Sequence, residues 1–189
     1  MDSCTEKRFQ YISWEIADDG KNVHLCSKIY DTVDEIVNDS KDVVVIAIGL
    51  NPSNTTDFND DITNLYLRDK IHKEMKSTGY LLTNLSPKVE SDSVKITLDD
   101  FSEEHIYDVM RLIKKYPNSK ILVFFGQTGV DFLNNKLKDK SFLKKLKQLL
   151  IENKQRVFYT RSTPKFTHPG RSGQDYDFAQ LEDNTLDKN

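Results

Sequence analysis

A series of short apolar runs, separated by stretches of helical period, limits the folds that are open to this chain. The run over residues 42–49 is rich in Val and Ile and ends at a glycine, which is typical of a strand buried on both faces. Runs of similar character occupy residues 79–84, 120–126 and 156–160. Apolar side chains instead recur at helical spacing in residues 30–40, 62–77 and 130–152 and in a stretch that begins at Ser102. Strands that alternate with helices predict a parallel sheet covered by helices on both faces.

The two ends of the chain predict an added hairpin and a loose tail. Residues 8–16 alternate in part and are rich in aromatic residues, which favours an edge strand, and a turn at 18–21 leads into a second strand through residues 23–25. Residues 181–189 lack a core signature and are expected to form an acidic, flexible tail. The 189 residues therefore predict a single domain over residues 1–180, a three-layer α/β/α fold with a short, mainly parallel sheet.

The charge balance and the cysteines argue against several classes of protein. Lys and Arg total 27 and Asp and Glu total 30, a net charge of −3, which disfavours a strongly basic nucleic-acid binder although a local basic patch is compatible with this sum. Two cysteines, Cys4 and Cys26, are too few for a four-thiolate cluster. The first 20 residues contain no apolar run, and no run elsewhere is long enough to span a bilayer. We therefore expect a cytoplasmic protein with no membrane partner; the sequence leaves its oligomeric state open.

Glycines and prolines gather in the loops that follow the predicted strands. Gly49 and Gly126 end two of the strands, and Pro52, Pro87 and Pro169 lie in loops of the same kind. Ligands of open parallel sheets bind outside the carboxyl ends of the strands. Four loops are therefore expected to converge on one site, namely residues 49–53, 84–87, 126–129 and 167–171.

The side chains of these loops are mainly amide, imidazole and guanidinium groups rather than carboxylates. The candidates are Asn51, Asn84, Gln127, His168 and Arg171. The sequence contains no Walker phosphate loop, dinucleotide fingerprint or serine nucleophile elbow. The acidic residues after the first loop are expected to cap the helix that starts near Ile62. The sequence accordingly predicts neither a metal site nor a cofactor.

Five motifs occur in an order that resembles the DUF1643 family, a bacterial and phage family of uncharacterised proteins. The motifs are residues 48–54 (IGLNPSN), 60–63 (DDIT), 79–85 (GYLLTNL), 123–129 (VFFGQTG) and the His168-Pro169 pair. The resemblance covers roughly residues 40–172. The chain departs from that family at Phe125, where its members often carry Trp, and at Glu103 and Glu104, where they often carry Asn-Asp.

The same motifs are similar to those of the uracil-DNA glycosylase superfamily. Residues 49–52 (GLNP) resemble its first motif, Gly-x-(Asp/Asn/Glu)-Pro, and are close to the Gly-Ile-Asn-Pro of its mismatch-specific branch. Residues 81–84 (LLTN) resemble a strand Leu-Leu-Leu-Asn whose Asn reads a pyrimidine edge. Phe125-Gly126 resembles a strand that ends in Trp-Gly, and residues 168–170 (HPG) resemble a His-Pro-Ser loop. The resemblance implies a short parallel sheet between helices. It also implies a catalytic pair, Asn51 and His168, and a substrate site that includes Gly49, Pro52, Asn84 and Gly126, to which the converging loops add Ser53, Gln127 and Arg171.

The residue types agree with the chemistry of N-glycosidic bond hydrolysis, in which the sugar becomes cationic and the departing base anionic. Asn51 can orient a water molecule but cannot accept its proton, so an enzyme that depends on it is expected to be slow. His168 can donate to the developing oxyanion, and Asn84 carries a donor and an acceptor side by side, the complement of a uracil-type edge. We therefore expect recognition of a nucleobase or a nucleic acid, with DNA glycosylase activity as the strongest form of that hypothesis.

Two alternatives remain open. One is a catalytically silent binding or regulatory protein of a phage or mobile element. The other is an N-glycosidic hydrolase of free nucleotides, which the acidic balance favours over a duplex binder. For a duplex binder, Lys165 and Arg171 are the nearest phosphate contacts by sequence. The other histidines, His24, His72 and His105, are expected at the surface, as is a lysine-rich helix face formed by Lys136, Lys138, Lys140, Lys144, Lys145 and Lys147.

Overall fold

The computed structural model of the protein describes residues 11–16, 23–29, 45–52, 67, 70–77, 79–134, 140–162, 166 and 176–187. Within these residues the strands are β1 (Tyr11–Ile16), β2 (Val23–Ile29), β3 (Val45–Gly49), β4 (Gly79–Asn84), β5 (Ile121–Val123), β6 (Val157–Arg161) and β7 (Asp177–Gln180). They form one seven-stranded sheet in the order β1-β2-β4-β3-β5-β6-β7. The α-helices are α1 (Glu103–Lys115), α2 (Gly126–Leu133) and α3 (Ser141–Glu152), and short helical turns occur at Ile71–Met75, Ser93–Lys95, Leu98–Asp100 and Lys154–Arg156.

The sheet is mixed, and this corrects the expectation of a mainly parallel sheet. Strands β4, β3, β5 and β6 are parallel neighbours, as the alternation of strands and helices predicts. The other pairs, β1–β2, β2–β4 and β6–β7, are antiparallel. Because the connection between β1 and β2 is too short for a parallel crossover, these strands add to β4 as an antiparallel ribbon. Strand β7 has only four residues, and no pattern in the sequence predicts it.

The central strand β3 is buried on both faces, as its continuous apolar run predicts. Val45 and Ala47 belong to one core cluster, which also contains Ile71. Ile46 and Ile48 belong to a second cluster, which contains the apolar stripes of α1, α2 and α3. Since successive strand residues point to opposite faces, helical segments pack on both sides of the sheet. The structure therefore confirms an α/β class.

The helices follow local signals in the sequence. Oγ of Ser102 accepts a hydrogen bond from the backbone N–H of His105 (3.1 Å), which caps the first turn of α1. The stripe Ile106, Val109 and Ile113 is buried, as its helical spacing predicts. The helical stretch predicted over residues 130–152 contains two helices, since α2 ends at Leu133 and α3 begins at Ser141. None of the helices in the described part of the chain is long and apolar enough to cross a membrane.

Part of the C-terminal segment, which the composition predicts to be a flexible tail, packs against the domain. Leu181 and Leu186 are buried in the core cluster that contains α3. Nδ2 of Asn134 donates a hydrogen bond to the carbonyl oxygen of Leu186 (2.7 Å), and Nζ of Lys147 lies 2.5 Å from Oδ1 of Asp187. Two isolated leucines in a polar segment produce no periodic pattern, so only tertiary contacts place them in the core.

Arg156 connects the elements at the amino end of the parallel strands. Its Nη1 donates hydrogen bonds to the carbonyl oxygens of Tyr116 (2.9 Å) and Ser119 (2.8 Å), and its Nη2 donates to that of Ile113 (3.1 Å). Its Nε donates to Oδ1 of Asn153 (3.0 Å). The guanidinium therefore supplies donors to carbonyl groups at the C-terminal end of α1, where the helix itself has no further N–H groups to offer.

Candidate functional site

The carboxyl ends of β3, β4 and β5 lie in one row, at the point where the strand order changes direction. From β3 the chain first forms β4 on one side and later β5 on the other, and ligands of α/β sheets bind at such switch points. Gly49 pairs in register with Asn84, and the backbone N–H of Phe124 donates to the carbonyl oxygen of Ile48 (2.9 Å). Three of the four predicted loops therefore leave the sheet side by side.

Asn84 is buried at this edge, with its carboxamide close to the backbone of Gly49. Only 5% of its surface is exposed. A Cβ atom at position 49 would lie 2.5 Å from Oδ1 of Asn84 and 2.9 Å from Cζ of Phe124, so glycine is what leaves room for the amide. Among the residues that the structure describes, none hydrogen-bonds the carboxamide of Asn84. The carboxamide atoms are not among the fully buried polar atoms that lack a partner, and their donor and acceptor are available to a polar ligand.

His105 lies against Asn84, so the expectation that this histidine is a surface residue is wrong. It is 1% exposed, and its Nε2 lies 2.8 Å from the carbonyl oxygen of Asn84. Its neighbours Glu103 and Glu104 are exposed, which is why the local sequence suggests a surface position. The capped first turn of α1 instead places His105 on the buried side of the helix, one turn before Val109.

Asn51 uses its amide hydrogens to hold the first loop to a later segment. Its Nδ2 donates to the carbonyl oxygens of Pro52 (2.9 Å) and Glu90 (2.5 Å). The backbone N–H of Glu90 in turn donates to the carbonyl oxygen of Pro52 (3.0 Å). Because both amide hydrogens face carbonyl groups, the orientation of the amide is set and Oδ1 is left as an acceptor. Asn51 can therefore accept a hydrogen bond from water.

Residues 88–100, which we call the strap, connect β4 to α1 and attach to the first loop through Glu90. Oγ of Ser86 donates to the carbonyl oxygen of Asp100 (2.8 Å), and Nζ of Lys88 lies 3.0 Å from Oδ1 of Asp100. Burial alone would raise the pKa of Asp100, but hydrogen bonds from Thr97 and Lys88 hold that pKa below its usual value. The strap carries four acidic residues and two lysines, so its net charge repels phosphate groups.

The third loop passes directly into α2. Gly126 has a φ of 65°, a left-handed conformation that favours glycine. Gln127 is exposed, and its Nε2 donates to Oδ1 of Asp131 one turn later (3.4 Å). The ring of Phe125 stacks with that of Phe166, with centroids 6.4 Å apart. Phe166, the last described residue before the fourth predicted loop, therefore lies beside the start of α2.

The predicted site residues divide into three groups. Gly49, Asn84 and the loop at Gly126 are brought together, with Asn51 and Pro52 directly beyond Gly49. Gln127 is engaged along the surface of α2. Ser53, Lys165, His168 and Arg171 lie outside the described residues, as do the side chains of His24 and His72. Within the part of the chain that is described, no cluster of three or more His, Cys, Asp or Glu residues could hold a metal ion.

Sequence reasoning missed His105 and Glu90 as neighbours of the site. One local signal for His105 exists: it follows Ser102 at the spacing of a helix cap, which places it in a first turn. No local signal exists for Glu90, whose contact with Asn51 spans 39 residues.

Comparison of the chain with models of protein families, with curated proteins and with solved structures finds no match. The functional interpretation therefore depends on the geometry of this site and on the motifs that line it.

Proposed function

We propose that the protein binds a nucleobase at the carboxyl edge of its sheet, with Asn84 pairing to the base. The observation that carries this proposal is the Asn84 carboxamide, which belongs to a residue only 5% exposed, lies at the switch point and makes no hydrogen bond to a described residue. A carboxamide offers a donor and an acceptor side by side, and a uracil-type edge offers the complementary acceptor and donor.

The reaction that this arrangement favours is hydrolysis of an N-glycosidic bond. Oδ1 of Asn51 is held as an acceptor, so a water molecule that donates to it keeps its lone pairs free to attack the sugar carbon. The departing base becomes anionic and needs a donor at its oxygen, a role that the sequence resemblance gives to His168. Asn51 cannot take the proton of the water, so we expect slow turnover.

The order of the motifs along the sheet supports the same proposal. Residues 49–52 follow the end of β3, and residues 81–84 end β4, the strand beside it. In the uracil-DNA glycosylase superfamily, which these motifs resemble, the corresponding segments orient water and read a pyrimidine. We infer that the four parallel strands and the helices beside them form a uracil-DNA glycosylase-like arrangement, to which the antiparallel strands are additions.

The negative charge of the strap limits how many phosphate groups the ligand can carry near it. Phosphate contacts dominate the affinity of proteins for duplex DNA, and four acidic residues against two lysines work against such contacts on this side of the site. The ligand that we favour over duplex DNA is therefore one with few or no phosphate groups, a nucleoside or a mononucleotide, of which the free base is the product; DNA is the alternative.

A second candidate is a silent binding protein. The observation that favours it is the use of both amide hydrogens of Asn51 to hold the strap, since this gives Asn51 a structural role without catalysis.

Two measurements with one set of variants separate these candidates. Isothermal titration with uracil, thymine, cytosine and hypoxanthine, and with their nucleosides and nucleotides, measures binding. Hydrolysis is measured by chromatography of the released base. The substrates are nucleosides, nucleotides and single- or double-stranded DNA that carries uracil, mismatched thymine, hypoxanthine or hydroxymethyluracil. The variant is Asn84→Ala, and the matched control is Asn118→Ala, an exposed Asn in the turn after α1.

We expect the parent and Asn118→Ala to bind a uracil-type base and Asn84→Ala to lose most of that affinity. Binding without release of any base supports the silent protein. If the parent binds none of these compounds, or if Asn84→Ala binds as tightly as the parent, the proposal is wrong.

A further inference from the structure

We propose that His105 is a positioning residue, which holds the backbone of Asn84 so that its carboxamide meets the base in one orientation. This inference rests on the proposed function, because it assigns His105 a part in the recognition step that Asn84 performs. His105 and Asn84 are 21 residues apart in the chain and are both buried.

The peptide unit between Asn84 and Leu85 is held from both sides. On one side the backbone N–H of Leu85 donates to the carbonyl oxygen of Gly49 (2.9 Å). On the other side Nε2 of His105 lies 2.8 Å from the carbonyl oxygen of Asn84. The carbonyl oxygen can only accept, so Nε2 carries the hydrogen in this contact. Two hydrogen bonds on opposite edges of one planar peptide fix its rotation and, with it, the direction of the preceding side chain.

The carbonyl group of Asn84 needs a donor from outside the sheet. In a trans peptide the C=O points away from the N–H, so this oxygen faces away from β3, toward the side on which β2 lies. The described pairing of β2 with β4 ends at Leu82, two residues before Asn84. Among the described residues no strand pairs with Asn84 on this side, and the imidazole of His105 supplies the donor that a buried carbonyl requires.

The imidazole comes from a rigid part of the chain. The N–H of His105 is capped by Oγ of Ser102 (3.1 Å), and the N–H of Ile106 donates to the carbonyl oxygen of Ser102 (3.2 Å). Ile106 and Val109 are buried in the core beside β3. A donor mounted on a capped and buried helical turn has little freedom, which suits it to fix the position of a recognition group.

Removal of this donor is expected to act on base recognition. In His105→Leu the peptide between Asn84 and Leu85 keeps only its bond to Gly49, so the carboxamide can tilt. A tilted carboxamide weakens its two hydrogen bonds to the base, and we expect the affinity for uracil to fall about ten- to a hundredfold. His105→Gln keeps an N–H donor at a similar reach from the backbone and is expected to restore most of that affinity. Selectivity between uracil and cytosine is expected to follow the same order.

The experiment compares the parent, His105→Leu, His105→Gln and the control Glu104→Ala, which changes an exposed residue in the same helical turn. Calorimetric titration with uracil and with cytosine measures affinity and selectivity. Hydrogen exchange of the Leu85 amide, followed by NMR without ligand, measures whether the peptide has been released; we expect about tenfold faster exchange in His105→Leu and near-parent exchange in the other variants. If His105→Leu does not fold, His105→Asn, whose amide is too short to reach the carbonyl oxygen, replaces it.

The outcomes distinguish this inference from the proposed function. Loss of uracil affinity and selectivity in His105→Leu, with rescue by His105→Gln, supports it. A folded His105→Leu with parent-like uracil affinity and selectivity overturns it, whatever its thermal stability. If the parent binds no base, the proposed function fails by itself. In that case the hydrogen exchange of the Leu85 amide decides the positioning role of His105: unchanged exchange in His105→Leu overturns it, and faster exchange retains it.

Discussion

Alanine at position 49 is expected to weaken base binding as well as the fold. The added Cβ would lie 2.5 Å from Oδ1 of Asn84 and 2.9 Å from Cζ of Phe124, whereas ordinary van der Waals contacts begin at 3.4 Å. The Phe124 ring is 4% exposed and packed in the core, so it has little room to move. The carboxamide of Asn84 is the softer neighbour. Its displacement removes the amide from the orientation that we propose for base recognition.

The size of the effect follows from two contributions. Overpacking of this kind costs about 1–3 kcal/mol in the free energy of unfolding. The loss of two hydrogen bonds to the base costs about 0.5–1.5 kcal/mol each, which corresponds to about a five- to 150-fold rise in the dissociation constant. The second contribution remains when the variant is fully folded, so the affinity for uracil reports the position of Asn84 and the free energy of unfolding reports the strain.

The matched control is Gly129→Ala in α2. An added Cβ there would lie 2.5 Å from Cδ2 of Phe125, so the same chemical change produces a similar overlap against a different neighbour. Urea denaturation measures the stability of both variants, and calorimetric titration with uracil measures affinity at a temperature where both are folded. We expect Gly129→Ala to keep the uracil affinity of the parent. Parent-like uracil affinity in a folded Gly49→Ala variant would refute the reasoning, because the carboxamide of Asn84 could then move without consequence.

Three further predictions concern the stability of the fold and the chemistry of the site. Replacement of Arg156 by Met is expected to cost about 2–4 kcal/mol, because it leaves carbonyl groups at the end of α1 without their charged donor. Arg111→Ala, which breaks an exposed pair with Asp108, is expected to cost less than about 1 kcal/mol; equal losses in urea denaturation would contradict the role of Arg156. The pKa of Asp100 is lower in the folded state than its ordinary value of 3.8, so its ionised form stabilises the fold above that value and this stabilisation is lost as the pH falls through the lower pKa. Asp100→Asn should therefore flatten the pH dependence of urea unfolding below about pH 5, and an unchanged profile would exclude this contribution. If base is released, Asn51→Ala should lower its single-turnover rate by about a hundredfold or more with a smaller change in affinity, and release at the parent rate would remove Asn51 from the mechanism.

The central strands and the main helices could be predicted because each carries a local signal. The apolar run of β3 indicates burial on both faces, and Ser102 marks the start of α1 by its capping position. The packing of Leu186 could not be predicted, since a single leucine in a polar tail has no period. The antiparallel strand β7 escaped prediction for a similar reason, because its four residues carry too short a pattern to indicate pairing with β6.

For the candidate site, the chain alone determines which polar residues follow which strands, and the tertiary structure decides which of them meet. Gly49 and Asn84 could be placed at strand ends because turns and apolar runs are properties of neighbouring residues. The burial of His105 and the contact of Asn51 with Glu90 depend on how α1 and the strap return to the sheet, across 21 and 39 residues respectively. Such contacts arise from packing between elements and leave no trace in local periodicity. For this reason a histidine that its neighbours suggest is exposed lies in the core beside Asn84.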